Sequence, residues 1–448
     1  MATTSFLKIP TASHYWLCNG RVPSSLLHQA TISLQAPHHS DNEALVSVDI
    51  EVSNGKVVGV QQADSGISRD VPFVDLRSGL IWPCFVDMHT HLDKGHIWSR
   101  SPNPDGTFGG ALETVRQDSE QRWAAEDVSR RMEFGLKCSY AHGTQAIRTH
   151  LDAFDGQGEI SFEVFSQLRK EWENKILLQA VCLVTLDYFL EPKGEKLADL
   201  VASAGGVLGG VAFMNSAVEK QIDRVFSLAK ERELDLDFHT DESLNQDDIA
   251  LRYVAEAAIR HEFTGQITCG HCCSLSVQSD EAVRKTIEAV KAAKISVVSL
   301  PMCNLYLQDR QQTQANNRTP RYRGVTILHE LKAAGVPVAL ASDNCRDPFF
   351  AYGDHDGLEV FTQSARIGHL DHPVGDWPMA VTRTPAQMMG LEAAVGQIAA
   401  GSSANLVVFK ARSFNELMAR GQGDRVVIRQ GKQIDTTLPD YAELDDLM

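Results

Sequence analysis

Seven apolar runs of strand length recur through the middle of the chain, at residues 144–150, 177–186, 207–214, 234–239, 266–271, 295–299 and 336–342. Stretches with helical periodicity separate them, among them 126–142, 218–233, 246–262, 280–293 and 325–334. An earlier run, Gly79-Leu80-Ile81-Trp82-Pro83-Cys84-Phe85-Val86, reads as a further buried strand and brings the number to eight. Strands that are apolar throughout belong in parallel sheets covered on both faces, and parallel neighbours need crossover helices. Eight such units predict an α/β fold, a (β/α)8 TIM barrel over residues 81–395. A doubly wound open sheet is the competing architecture, but no Gly-x-Gly-x-x-Gly follows the first strand.

The two ends of the chain have a different texture. Val46-Ser47-Val48-Asp49-Ile50-Glu51-Val52 alternates apolar and polar, Ser53-Asn54-Gly55-Lys56 turns, and Val57-Val58-Gly59-Val60 returns, which predicts a hairpin. Residues 404–409 and 425–432 have the same character. Residues 1–80 and 396–448 are therefore expected to build one small β-sandwich domain from both termini.

Composition narrows the partners. With 448 residues, 43% hydrophobic and 22% charged, the chain has the balance of an ordinary globular protein. A net charge of −16 argues against nucleic acid as a partner. No run approaches the ~20 apolar residues of a membrane span, and Met1–Lys8 lacks the pattern of a secretory signal. Nine scattered cysteines suggest reduced thiols and a cytoplasmic protein. The Cys269-x-x-Cys272 spacing has no second pair, so both read as small core residues.

In a barrel of this type the chemistry sits at the C-terminal ends of the strands. The first strand runs into His89-Thr90-His91, two imidazoles that share one face because strand side chains alternate. The fifth ends in His239-Thr240-Asp241-Glu242, the sixth in His271 and the eighth in Asp343-Asn344. His89, His91, His239 and Asp343 would make a mononuclear site for a divalent metal with room for a water. Glu242 is placed to shuttle protons beside it, and His271 to hydrogen-bond the reacting oxygen.

The order His-x-His, His-x-x-Glu, His, Asp resembles the amidohydrolase superfamily, and most closely its cytosine deaminase-like branch. The likeness extends to Cys303-Asn304-Leu305-Tyr306-Leu307-Gln308-Asp309-Arg310 and to Ser342-Asp343-Asn344-Cys345-Arg346-Asp347-Pro348. It implies one zinc or iron ion on His89, His91, His239 and Asp343. Asp343 would also take the proton of the attacking water, Glu242 would protonate a ring nitrogen, and His271 would hold the attacking oxygen. The implied activity is hydrolytic deamination of an amino-substituted nitrogen heterocycle, with water as co-substrate and ammonia released. Proteins of this kind commonly form homo-oligomers, which is the expectation here by analogy.

Two departures bear on the substrate. Cytosine deaminase carries a glutamine at the end of the third strand, where this chain has Leu183-Val184-Thr185-Leu186-Asp187-Tyr188-Phe189, and Leu186 is taken as the pocket residue. Asn344 stands where that enzyme has a second aspartate. Losing an amide removes a donor and an acceptor together, so cytosine itself is not the expected substrate, and a cytosine-like modified pyrimidine, a pterin, a triazine or creatinine fits as well. Trp98 in the long loop 94–106, a lid candidate, could stack on the ring, and Asn304, Gln308 and Arg310 could reach its edge. His150 and Asp152 are expected to line the pocket. The competing activities are cyclic-amide or N-alkyl triazine hydrolysis; the binuclear cyclic-amide enzymes need a lysine ending the fourth strand, and none occurs before Lys220. A barrel retained only for binding would not be expected to keep every ligand and the acid.

Overall fold

The computed structural model describes residues 6–28, 43–63, 65–67, 70–310, 318–393, 395–421 and 424–448. Most of the leader reading, over Met1–Ser5, lies outside them. The chain divides into two compact units.

The larger unit comprises residues 88–137, 147–355 and 439–448 and carries the (β/α)8 architecture. Strands Leu208–Ala212, Leu236–Thr240, Ile267–His271, Ser296–Ser299 and Val338–Leu340 form one sheet in chain order, each parallel to the next. Strands Phe85–Thr90, Thr144–Asp152 and Leu177–Leu183 form a second. Parallel bridges Val181–Val207 and Thr185–Val211 link the sheets at one edge, and the parallel bridge Thr90–Asp343 links them at the other. Each strand is followed by helical segments, the longest being Phe108–Arg122, Ala125–His142, Gln157–Trp172 and Val218–Arg232.

Three boundaries differ from those expected. The opening run is two strands: Ile81–Pro83 pairs antiparallel with Leu406–Phe409, and the barrel strand starts only at Phe85. Pro83 has no N–H to continue a ladder, so the break falls beside it. The third strand stops at Leu183, and Leu186–Leu190 is a short 3-10 turn. There the chain crosses Gly210, where a Cβ would stand 2.5 Å from the Val184 carbonyl oxygen. The helix expected from Gln246 begins at Ala250, because Asp241 accepts hydrogen bonds from the Ala250 and Leu251 amides at 2.7 and 2.9 Å. A carboxylate nine residues upstream thus caps it, a partner that local pattern does not reveal.

Two sets of buried ion pairs lie away from the cavity wall in this unit. Arg148 and Asp237, both inside the barrel, pair at 2.8 Å, and Arg148 also donates to Gln179. They lie two residues before His150 and His239, one side-chain layer below the strand ends. Outside the strands, Arg100 bridges Asp118 (2.8 Å) and Asp127 (2.5 Å), Arg131 pairs with Asp127 at 2.6 Å, and Arg100 also donates to the Leu447 carbonyl.

The smaller unit comprises residues 1–87, 138–146 and 356–438. One sheet has the order Lys56–Gln62, Leu45–Ser53, His14–Pro23, Phe73–Asp75. The expected hairpin is present, with Asn54 and Gly55 both left-handed (φ 48° and 79°) as a tight primed turn requires. The other sheet runs Lys432–Gln433, Arg425–Arg429, Leu406–Phe409, Ile81–Pro83 and so joins both ends of the chain. Its core centres on fully buried Trp82, which meets Phe85, Phe361, Phe409 and Phe414 edge-on.

Burial pushes the carboxyls of Asp118 and Asp127 up, but the hydrogen bonds and charge of Arg100, together with Ser101 and Trp123 at Asp118 and Arg131 at Asp127, outweigh it and both sit below their ordinary value. A depressed folded-state pKa contributes stability above the unfolded value near 3.9, and that contribution is lost as pH falls through the folded value. Asp127→Asn should therefore flatten the acid limb of a stability-against-pH curve below about pH 4. It also leaves Arg131 buried without its carboxylate, and the expected loss at pH 7 is roughly 3–5 kcal/mol in urea unfolding.

Candidate active site

Three strand ends bring the four candidate ligands together. His89 lies within the first strand, His91 one residue beyond it, and His239 within the fifth. Asp343 follows the eighth, where its amide donates to the His89 carbonyl at 2.8 Å. The His239 Nε2 is 3.2 Å from that of His89 and 3.4 Å from that of His91. Asp343 Oδ1 is 3.1 Å from His91 Nε2 and 3.5 Å from His89 Nε2.

These separations fit a metal. Donors held about 2.0–2.2 Å from one tetrahedral ion stand roughly 3.2–3.6 Å apart. Burial, followed by neighbouring imidazoles and other cationic groups, holds His89, His91 and His239 well below their ordinary pKa, so all three are neutral. Three neutral imidazoles facing one another nitrogen to nitrogen cannot satisfy themselves by hydrogen bonds alone, whereas one cation accepts a lone pair from each. The donor set therefore fits the divalent ion expected from the sequence.

Space for the cluster depends on a missing side chain. Gly270, on the sixth strand, is where a Cβ would stand 2.8 Å from His89 Cε1. His271, Asp241 and Asp343 all adopt left-handed backbone (φ 68°, 52° and 63°), a strained turn at three strand ends.

Beside the ligands sits the acid–base pair. Glu242 Oε1 is 3.3 Å from His271 Nδ1, and one amide group serves both: Asn304 Nδ2 is 3.2 Å from Glu242 Oε1 and 3.0 Å from His271 Nδ1. Donation to Nδ1 assigns the ring proton of His271 to Nε2, which has no hydrogen-bond partner among the described residues. Burial, with nearby Asp343, pushes Glu242 well above the ordinary carboxyl range, and burial, with His150, pulls His271 down to about 3. The pair is thus a carboxyl biased toward its protonated form beside a neutral imidazole.

The residues proposed for ring contact separate. Asn344 lines the cavity. Asn304 holds Glu242 and His271, and Gln308 donates to the Glu242 carbonyl at 3.2 Å. Arg310 donates to the Tyr306 carbonyl. Leu186 lines a neighbouring cleft while Thr185 faces the cavity, because the strand ends earlier than expected. Half-buried Trp98 is not on the cavity wall; its amide donates to the Arg346 carbonyl. Asp152 lines the cavity as expected, but His150 does not: its Nε2 lies 3.3 Å from Asp237 and its ring 4.0 Å from that of His89.

The sequence reading passed over much of the wall. Lys94, buried on the cavity, pairs with Asp152 at 2.7 Å. Burial opposes its charge, but Asp152 and Asp93 raise its pKa on balance. Phe108 and Leu112, from the helix Phe108–Arg122, join Phe154, Phe213 and Phe349 in an apolar wall, with the Phe108 ring 5.5 Å from that of Phe349 and 6.5 Å from that of Phe213. The available signal was Thr107, which caps that helix by accepting from the Gly110 amide.

Gly270→Ala should drive the His89 ring aside. Metal affinity, measured by competition with a chelator, should fall about 10–100-fold while the fold is retained.

Comparison with known proteins identifies the family. The amidohydrolase family profile matches residues 117–435. Pterin deaminase from Rhizobium rhizogenes (strain K84) is 48% identical over 445 residues, which is 99% of either chain. N-isopropylammelide isopropyl amidohydrolase from Pseudomonas sp. (strain ADP) is 25% identical over 82% of this chain and 88% of its own. The structure of 5-methylcytosine deaminase from Klebsiella pneumoniae superposes with a TM-score of 0.79 at 22% identity, covering 94% of this chain and 97% of that one. The chain belongs to the amidohydrolase family, within its branch of hydrolytic deaminases that act on nitrogen heterocycles.

Proposed function

We propose that the protein hydrolyses the 2-amino group of a pterin, giving ammonia and the 2,4-dioxopteridine. The observation that carries the choice of ring is the end-to-end 48% identity to a pterin deaminase. The cavity supports it: aromatic side chains Phe108, Phe154, Phe213 and Phe349 suit a flat bicyclic ring, and polar groups stand at separate places on its wall. Glu242 and His271 address the amidine edge, while Lys94, Asp152 and Asn344 offer donors and acceptors for the remaining heteroatoms. Nothing in this set requires the glutamine that reads cytosine.

His89, His91, His239 and Asp343 would hold a divalent ion, zinc or iron, which when bound lowers the pKa of water and so supplies hydroxide at neutral pH. Asp343 accepts the proton of the attacking water. His271 donates its Nε2 hydrogen to that oxygen as it adds to C2. Glu242 gives its proton to the ring nitrogen next to C2, which places the added electron pair there. The proton taken by Asp343 then passes to the amino group, the C2–N bond breaks as the C2–O double bond forms, ammonia leaves, and the hydroxyl proton returns to Glu242. Asn304 keeps Glu242 and His271 in register throughout. The nine free cysteines and the acidic surface suit a cytoplasmic enzyme working on a free small molecule, without nucleic acid or membrane.

The deciding assay is ammonia release by zinc-loaded and iron-loaded protein on pterin, cytosine, 5-methylcytosine, creatinine and amino-triazines. Pterin is expected to give the highest kcat/KM; turnover confined to a single-ring substrate would overturn the assignment. Glu242→Gln should keep one metal in the site and lower kcat about 10²–10⁴-fold. Because the protonated form of Glu242 is the active one, kcat of the unaltered enzyme should fall as pH rises through its elevated pKa.

A further inference from the structure

A second group of metal-binding side chains lies away from the cavity wall. His96, Cys345 and His355 are each at least 96% buried, and their ligand atoms all lie within 4.8 Å of one another. None of them lines the catalytic cavity. The two imidazoles meet nitrogen to nitrogen, with Nε2 atoms 3.3 Å apart and rings inclined at 50°. That separation is long for an N–H···N bond and matches the roughly 3.3–3.4 Å between two nitrogens on one tetrahedral ion.

The surroundings hold this arrangement at some cost. His96 and His355 both have left-handed backbone (φ 65° and 53°), which non-glycine residues adopt only when their surroundings impose it. The His96 amide donates to the Cys345 carbonyl at 3.0 Å, so two of the three ligands are tied through the main chain. Phe134 packs edge-on against the His96 ring at 4.8 Å. Gly135, next in the helix, leaves the room His355 needs, since a Cβ there would come within 3.0 Å of its Nε2. Burial, then His355, Arg346 and Arg131, hold His96 well below its ordinary pKa, so it is a neutral ligand.

We propose that His96, Cys345 and His355 form a second, structural site for a thiophilic metal ion, zinc or copper(I). Binding exchanges the Cys345 thiol proton, released to solvent, for the ion, and leaves one coordination position for water or none in a three-coordinate copper site. The ion would fasten the loop after the first barrel strand to the segment after the eighth, two residues beyond Asp343. This assignment is independent of the pterin reading, and its readout is not activity.

Cobalt(II) titration of the metal-free full-length protein tests it. The catalytic ligands include no sulfur, so a thiolate-to-cobalt charge-transfer band in the near ultraviolet reports the second site alone. The expected result is two cobalt ions per chain, with the band saturating at one. Cys345→Ser should abolish the band, keep one cobalt and retain the circular dichroism of the unaltered protein. If that variant does not fold, His96→Gln carries the same expectation of a lost or strongly weakened band. Loss of the band on adding one equivalent of zinc assigns zinc; loss only with copper(I), under anaerobic reducing conditions, assigns copper. No thiolate band at saturation, a band that survives Cys345→Ser, or a band that neither metal displaces would overturn the proposal.

Discussion

Four donors held at the spacing that one buried cation would require organise the larger unit. His89, His91, His239 and Asp343 come from segments spread over more than half of the chain, yet their donor atoms stand 3.1–3.5 Å apart. Such convergence needs the first, fifth and eighth strands in register, since a slip of one residue would turn every inward side chain outward. The bridge from Thr90 to Asp343 maintains that register between the first strand and the last. Below the ligands, Arg148 and Asp237 fill the barrel with a paired charge where apolar side chains would be usual.

The fold was readable because its elements advertise themselves locally. Apolar runs mark buried parallel strands, and the ligands fall at strand ends, where spacing along the chain is informative. What escaped depends on contacts distant in sequence. Nothing local at Gln246 announces that Asp241 will cap a helix starting at Ala250. The third strand ends where the chain packs closely on Gly210, far along the chain, and Thr185 rather than Leu186 stands on the cavity.

The same division holds within the site. Histidines and acids with metal-ligand spacing were conspicuous, and Asp343, Glu242 and His271 were found with their neighbours. Lys94 was not singled out, because a lysine three residues past a histidine has no special meaning until Asp152 is seen beside it. Phe108 and Leu112 sit on a helix that carries little pattern, so their place on the wall emerges only in three dimensions. Trp98 shows the reverse: an eye-catching aromatic in a long loop whose role is elsewhere.

Asn304 carries a consequence for proton bookkeeping. One primary amide directs its two hydrogens to two different titrating groups, a carboxyl and an imidazole. Each group therefore senses the protonation of the other through a shared rigid spacer as well as through space. The apparent constants read from a rate profile therefore belong to a coupled set in which Asp343 shifts Glu242, not to any one side chain.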